Sequence, residues 1–210
     1  VPSSGYQISR SLRFNSADTA YLNRTPGSAT NRKTWTWSGW VKKTVIAGDY
    51  PPLFNAGTVA PDTVLRFTNT DTLQAVLENG GGGASLLETT QVFRDPSAWY
   101  HIVWAVDTTQ ATANNRQRLY VNGVEITAFG TRTNPTQNLD TAVNNTVAHK
   151  IGAQRYASYY NGYMTETYLI DGQALTPSSF GETNAQTGVW QPKAYAGTYG
   201  TNGFYVNFSD

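Results

Sequence analysis

The sequence predicts an all-β protein with antiparallel sheets, and three observations support this prediction. The 210 residues contain many short runs rich in Val, Ile, Thr, Tyr, Phe and Trp, separated by Gly, Pro and Asn. No window of about 12 residues has the 3.6-residue apolar period of an amphipathic helix. Charged residues make up 14% and aromatic residues 13% of the chain, which disfavours disorder. These features together indicate an all-β sandwich or a jelly roll.

The expected strands follow from the apolar runs between turn residues. In chain order they are 11–14, 20–23, 34–43, 64–68, 73–78, 85–88, 99–107, 116–123, 124–127, 147–153, 163–170 and 204–208. The run WYHIVWAVD at 99–107 is almost continuously apolar, which is typical of a central strand covered on both faces. We expect at most one short helical turn, at 176–180, with Thr176 as its N-cap and Pro177 at the first helical position.

The run TWTWSGWVKK at 34–43 shows which side chains enter the core. Alternation along a strand places Trp35, Trp37 and Val41 on one face, which we expect to lie between the sheets. Trp40 then lies on the opposite face, where a loop would cover it. Further along, Asn122 and Gly123 separate two strand-like runs, and this pair is the strongest hairpin signal in the chain.

Length and charge limit the domain organisation and the classes of partner. We expect residues 10–210 to form a single domain, with the glycine run at 80–83 as a hairpin loop, and residues 1–9 to form an N-terminal lead. The net charge of +1 indicates no nucleic-acid partner. No stretch approaches the roughly 18 apolar residues of a membrane span. Cysteine is absent, which excludes disulfides and thiolate chemistry.

Five motifs in a fixed order resemble a known family. They are SLRFNSADTAYLNRT (11–25), TWTWSGWVKK (34–43), WYHIVWAVD (99–107), LYVNGVEI (119–126) and YNGYMTETYLIDGQALTPSSF (160–180). Together they resemble the concanavalin A-like, laminin-G-like jelly-roll domain found in structural proteins of bacteriophages and environmental viruses. The resemblance implies two packed antiparallel sheets in which the terminal strands, 11–14 and 204–208, pair side by side. It does not specify a function, because this fold hosts lectins, glycosidases, adhesion modules and virion parts.

The titratable residues favour a protein without catalytic activity. Glycosidases of this fold use two carboxylates about 5 Å apart on one face of a strand. Glu166 and Asp171 are five residues apart on one strand and point to opposite faces, and the remaining glutamates are isolated. We expect His101 to be packed and bonded to backbone, although a catalytic or metal-binding role is the alternative. We therefore predict that the protein is not an enzyme, with a glycoside hydrolase as the least favoured function.

The resemblance implies one candidate metal site. Many members of the superfamily hold Ca²⁺ at the rim, with one ligand from the early loop and one from a late strand. The matching positions here are Asp18 and Glu166. A hard cation takes six to eight oxygens, and each segment offers one carboxylate. The alternative is that Asp18 caps a turn and Glu166 faces solvent, so that no cofactor is bound.

Tyrosines mark a candidate surface for carbohydrate or a protein partner. Tyrosine has a flat apolar face and a polar tip, which suits sugar stacking and protein interfaces alike. Packing within the molecule explains such clusters equally well. The loop RYASYYNGY contains four such residues: Tyr156, Tyr159, Tyr160 and Tyr163. A second cluster near the end of the chain contains Tyr195, Tyr199 and Tyr205. N-glycosylation sequons begin at Asn23, Asn144 and Asn207, as many as chance predicts.

The N-terminal lead is a candidate for assembly. Tyr6 and Ile8 alternate as in a strand with one apolar face, which could add to the sheet edge of a neighbouring copy. A disordered or self-packed tail is the alternative. We therefore expect a non-enzymatic structural subunit of an extracellular filament or virion surface, with other copies of itself as partners. The main alternative is a carbohydrate-binding lectin module that contacts glycans or a host surface.

Overall fold

Two antiparallel sheets form the protein in a computed structural model that describes residues 6–60, 62–79, 83–154 and 158–208. The strands are numbered along the chain. The first sheet contains β1 (Leu12–Phe14), β3 (Thr34–Lys43), β8 (Tyr100–Asp107), β9 (Gln117–Val121), β10 (Val124–Glu125), β13 (Gly162–Asp171) and β16 (Phe204–Val206). The second contains β2 (Leu22–Arg24), β4 (Pro52–Ala56), β5 (Thr63–Phe67), β6 (Thr72–Glu78), β7 (Ala84–Val92), β11 (Phe129–Thr133) and β12 (His149–Ile151). These sheets confirm the predicted fold class.

Short elements complete the fold. A separate hairpin joins β14 (Gly181–Thr183) to β15 (Trp190–Pro192). The helical elements of the described residues are 3₁₀ turns at Ser16–Asp18, Ala113–Asn115 and Pro177–Ser179. The last of these is the turn that the sequence predicts, with Thr176 at its N-cap and Pro177 at its start.

Strand order places β3 at the centre of the first sheet. The order is β1-β13-β3-β8-β9-β10 in the first sheet and β11-β7-β6-β5-β4-β12-β2 in the second. β3 pairs with β13 on one side and with β8 on the other, so Trp40 lies between Thr165 and His101 in one row across three strands. This row lies on the face that points away from the second sheet.

The core lies between the two sheets, as the alternation in β3 predicts. Trp35, Trp37 and Val41 are fully buried in it. Trp35 packs edge-on against Trp104 of β8, with ring centroids 4.9 Å apart. Burying large aromatic side chains supplies a major share of the hydrophobic stabilisation of a sandwich of this size.

The terminal strands do not pair with each other, which makes one expectation from the resemblance wrong. β1 pairs with Gly162, Tyr163 and Met164 of β13. β16 pairs with the same strand at Thr167, Tyr168 and Leu169. Both terminal strands are short, so they lie end to end along one edge of the longer β13. A register irregularity between Thr165 and Tyr168 separates the two pairing segments.

Strands that the sequence pattern missed are β4, β11 and the β14–β15 hairpin. β4 begins with Pro52, which lowers its strand signal, although the first position of a strand tolerates proline. All five of its residues are buried, so β4 has no alternation. β11, with the sequence FGTRT, is mostly exposed and contains a register shift, which removes the apolar pattern as well.

Candidate functional site

A groove lies on the outer face of the first sheet, beside the row that contains Trp40. Its cavity has a volume of about 340 Å³. Trp40 comes from β3, Thr165 from β13 and Pro192 from β15, while Trp99 directly precedes β8. The fourth wall is the N-terminal segment, residues 8–11. A concave site with aromatic side chains and a few polar groups is the usual form of a ligand-binding pocket.

Three stacked rings support the floor of this groove. His101 lies between the rings of Trp40 and Trp190, with centroid distances of 5.0 and 5.9 Å and interplanar angles of 22°. Trp190 Nε1 donates to His101 Nδ1 over 3.0 Å. Since an indole N–H only donates, Nδ1 is an acceptor and the imidazole proton lies on Nε2, which donates to Ser38 Oγ at 2.9 Å.

The environment of His101 keeps it neutral. Its side chain is 1% exposed, and burial lowers its pKa to about 3. The expected packed role is therefore correct, but its hydrogen-bond partners are side chains and not backbone. Gly123, at a φ of +83°, lets the predicted turn approach Trp190 closely, because a Cβ there would come within 2.5 Å of the indole. The packing of Trp190 thus holds the β14–β15 hairpin beside the groove.

The N-terminal segment is fixed to its own domain at two points. Thr165 Oγ1 donates to the carbonyl oxygen of Arg10 over 2.6 Å. Tyr6 Oη donates to Glu166 Oε2 over 3.0 Å. A second cavity of about 270 Å³ lies against this segment, lined by Arg10 and Glu166 among others. Arg10 therefore lines both cavities. Residues 6–10 are not a strand, and their expected role as a strand donated to a neighbour stays a prediction.

Glu166 is held by a cluster of three tyrosines. It lies at the irregularity of β13 with a φ of +49°, a conformation rare for a residue with a side chain. Besides Tyr6, Tyr205 donates to Oε1 over 2.6 Å and Tyr168 donates to Oε2 over 2.7 Å. Burial raises the pKa of Tyr205 and Tyr168, so both hydroxyls keep the protons that they donate. Glu166 is 5% exposed, which makes its expected exposure to solvent wrong.

The calcium ligands implied by the resemblance do not come together. Asp18 is an exposed residue of the 3₁₀ turn Ser16–Asp18, where it accepts a hydrogen bond from Asn15 Nδ2 over 2.6 Å. Glu166 is saturated by tyrosine hydroxyls in a different contact network. Throughout the described ranges, no three His, Asp or Glu side chains are grouped to hold a metal ion. These residues do not fit a Ca²⁺ ion, because the irregularity in β13 turns Glu166 into the tyrosine cluster.

The tyrosine-rich loop is divided between core and surface. Tyr160 is fully buried in the core, so its expected role in binding a ligand is wrong. Tyr159 is half-buried and packs against Tyr21, with ring centroids 6.2 Å apart. Tyr163 lies on the outer face of the first sheet, with the Arg13 guanidinium 5.3 Å from its ring centroid. Tyr156 lies outside the described residues.

One of the three sequons is inaccessible. Asn144 is fully buried, and its Nδ2 donates to Asn31 O and to Asp171 Oδ1 at 2.7 and 2.9 Å. Asn144 is therefore ruled out as a possible glycosylation site in the folded protein. Asn23 and Asn207 are exposed, so their use stays a prediction. Asp171 also accepts from Thr30 Oγ1 at 2.7 Å and has no hydrogen-bond partner in common with Glu166.

The sequence pattern missed most of the groove. Trp40 was expected on this face, and it lies there under the N-terminal segment and the β14–β15 hairpin. Trp99, Arg10 and Pro192 were not identified as site residues. One local signal pointed to Trp99, because it alternates onto the same strand face as His101. The other groove residues come from distant parts of the chain, so no local pattern connects them.

Comparison with known proteins agrees with the observed fold. A family model described as "Concanavalin A-like lectin/glucanases superfamily" matches residues 15–179. No curated protein matches the sequence. No helix among the described residues is long and apolar enough to cross a membrane.

Three solved structures illustrate the similarity. Domains LG4-5 of the mouse laminin alpha1 chain match with a TM-score of 0.57 and 10% identity, over 99% of this chain and 49% of that one. Domain 4 of AbnA, a GH43 extracellular arabinanase from Geobacillus stearothermophilus, was solved in complex with arabinotriose. It matches with a TM-score of 0.51 and 17% identity, over 71% of this chain and 65% of that one. The enzymatically active domain of tailspike protein 2 of bacteriophage CBA120 matches with a TM-score of 0.54 and 12% identity, over 80% of this chain and 26% of that one. At these identities the similarity shows the fold alone.

Proposed function

Since the chain belongs to the concanavalin A-like lectin/glucanases superfamily, we propose that it is a non-catalytic module that binds carbohydrate outside the cell, in the groove of Trp40 and Trp99. The observation that carries this proposal is the groove itself. Two indole rings lie beside Thr165 and Arg10 in a cavity of about 340 Å³. Aromatic rings stack on the apolar faces of sugars, and the polar groups bind their hydroxyls.

The fold neighbour from Geobacillus supports the same class of ligand, because that domain was solved with arabinotriose. Absence of catalysis is proposed from the carboxylates. Glu166 is buried and accepts from three hydroxyl donors, and Asp171 is engaged by Thr30 and Asn144. Hydrolysis of a polysaccharide by the wild type that is lost in Glu166→Gln would contradict this part of the proposal.

A glycan array on the purified protein tests the proposal directly, followed by calorimetry with the best ligand. We expect Trp99→Ala to weaken binding about tenfold, which corresponds to about 1.4 kcal/mol for one lost stacking surface. Tyr21→Ala is the matched control, because it removes an aromatic ring that is 45% exposed and lies next to β2 of the other sheet. Thermal melting checks that both variants fold. No binding on the array, or equal binding by Trp99→Ala and the wild type, would contradict the proposal.

A self-assembling subunit of a filament or virion surface is the second candidate function. It is favoured by apolar side chains that are exposed at one end of the sandwich, with Val45 at 47%, Tyr21 at 45% and Ile46 at 37%. The phage tailspike domain provides a fold precedent on a virion. Light scattering at high concentration tests this candidate, with Val45→Ser and Ile46→Ser as the variant pair. A monomeric wild type would exclude self-assembly.

A further inference from the structure

The groove and its surroundings carry positive groups that the fold itself does not use. Arg10 lines both cavities of the outer face and is exposed, and its carbonyl oxygen is held by Thr165. Its guanidinium is the group of interest. It has no hydrogen bond, ion pair or ring contact within the described part of the chain. Most other arginines are engaged, for example Arg116 with three backbone carbonyl oxygens. An exposed guanidinium without a partner, on a residue that lines a cavity, is available to a ligand.

A second positive group continues this line along β3. Lys42 lies two residues after Trp40 on the same face, which places it about 7 Å further along the strand. It pairs in register with Tyr163, over which the Arg13 guanidinium lies. The Lys42 side chain makes no hydrogen bond or ion pair among the described residues. Aromatic faces and cations therefore alternate on this surface, from Trp99 and Trp40 to Tyr163.

Of two carboxylates near this surface, one is buried and the other leaves its neighbouring cation accessible. Glu166 is buried and accepts hydrogen bonds from Tyr6, Tyr168 and Tyr205. Asp95 lies close enough to Lys42 for electrostatic attraction, but its Oδ1 already accepts from the backbone and the hydroxyl of Ser97. The cations remain accessible, while one of the anions is enclosed.

We propose that the groove selects a polysaccharide that carries anionic groups, carboxylate or sulfate, with a ring stacked on Trp99 above the floor that Trp40 forms, and its charges on Arg10 and Lys42. This inference rests on the proposed function and adds the class of ligand to it. A guanidinium binds either group through two parallel N–H donors, and an ammonium binds it as a point charge. The ion pairs that Arg10 and Lys42 would form with the ligand are exposed to solvent, so salt should weaken them.

The test compares polymers that differ in charge alone. Polygalacturonate is paired with its fully methyl-esterified, neutral form, and dextran sulfate with dextran. Each exposed ion pair contributes a factor of up to about five. We therefore expect the protein to bind at least one charged polymer about tenfold more tightly than its neutral partner in 20 mM NaCl, and to lose most of this preference in 500 mM NaCl. Preference within one pair alone identifies carboxylate or sulfate as the anionic group.

Two variants and one control separate this site from general charge attraction. Arg10→Gln and Lys42→Gln should each reduce the preference several-fold. In Lys42→Gln, whose site lies outside the groove lining, affinity for the neutral polymer or an array ligand should stay within about twofold. Lys150→Gln is the control, because Lys150 lies in β12 of the other sheet. A wild type that shows no preference for the charged polymer over the neutral one would overturn the inference. A preference that is unchanged in Arg10→Gln, or reduced equally in Lys150→Gln, would overturn it as well. Binding to neutral glycans without any charge preference refutes this inference alone, whereas no binding to any glycan refutes the proposed function as well.

Discussion

Asp71 forms a buried ionic link between the two sheets, and replacing it should destabilise the whole domain. Lys43 Nζ, at the end of β3, lies 2.6 Å from Asp71 Oδ1, which belongs to the turn between β5 and β6. The two side chains are 2% and 0% exposed. The backbone N–H of Ala47 donates to the same oxygen over 2.8 Å, and Arg94 Nε lies 3.0 Å from Oδ2. The Lys43 ammonium also lies 4.7 Å from the centroid of the Phe67 ring.

The magnitude follows from what Asp71→Asn leaves behind. The substitution removes the counter-charge of an ammonium group that has almost no access to water. Breaking a buried pair on one side costs about 3–5 kcal/mol. Total stabilities of domains lie at about 5–15 kcal/mol, so Asp71→Asn should lower the urea midpoint substantially. Arg94 is 59% exposed, so Arg94→Gln should cost less than about 1 kcal/mol and serves as the control.

A double variant tests whether the unpaired charge is the cause. Lys43→Met combined with Asp71→Asn removes both charges and keeps a residue that tolerates the φ of +65° at this position, which should recover most of the lost stability. Urea denaturation followed by tryptophan fluorescence measures all four proteins. A loss below about 1 kcal/mol in Asp71→Asn, or a double variant no more stable than Asp71→Asn, would refute the reasoning.

Four further predictions concern stability and protonation. Trp37→Ala, at a fully buried ring stacked on Phe54, should cost about 3–5 kcal/mol in urea, and a loss below about 1 kcal/mol would place the ring outside the core. Burial alone would raise the pKa of Asp71, but hydrogen bonds from Lys43, Ala47 and Arg94 bring it below its usual value. Its stabilisation is therefore complete above the unfolded pKa of about 3.9 and is lost as pH falls through the folded value, so acid unfolding of Asp71→Asn should depend less on pH. His101 should show no titration shift by NMR between pH 5 and 8, since its pKa is about 3. Deleting residues 204–210 removes the pairing of β16 with β13 and should lower the melting temperature of the domain. An unchanged melting temperature would show that this pairing does not stabilise the fold.

Local pattern was sufficient for much of the fold. Alternation in TWTWSGWVKK assigned the core face of β3, because side chains of a strand alternate between two environments whatever lies across from them. Turn chemistry located the bend at Asn122 and Gly123, since both residues adopt positive φ there. The motif order identified the family, which the match over residues 15–179 confirms.

Local pattern failed where a residue's environment comes from distant segments. Tyr160 was a candidate for a binding surface and is in the core. Asn144 was a possible glycosylation site and is buried, with its side chain bound to Asp171. Nothing in the local sequence distinguishes either residue from neighbouring residues that are exposed. Strand β4 was missed for a related reason, because burial on both faces removes the alternation that identifies a strand.

The sequence alone determined the all-β class, the family and the residues of the core face of β3. Only the tertiary structure decided the groove and the state of Glu166. The hydrogen bonds to Glu166 come from Tyr6, 160 positions earlier in the chain, and from Tyr205, 39 positions later. Periodicity reports how a strand divides its own side chains between two faces, and it contains no information on which distant hydroxyl or indole completes a site on either face.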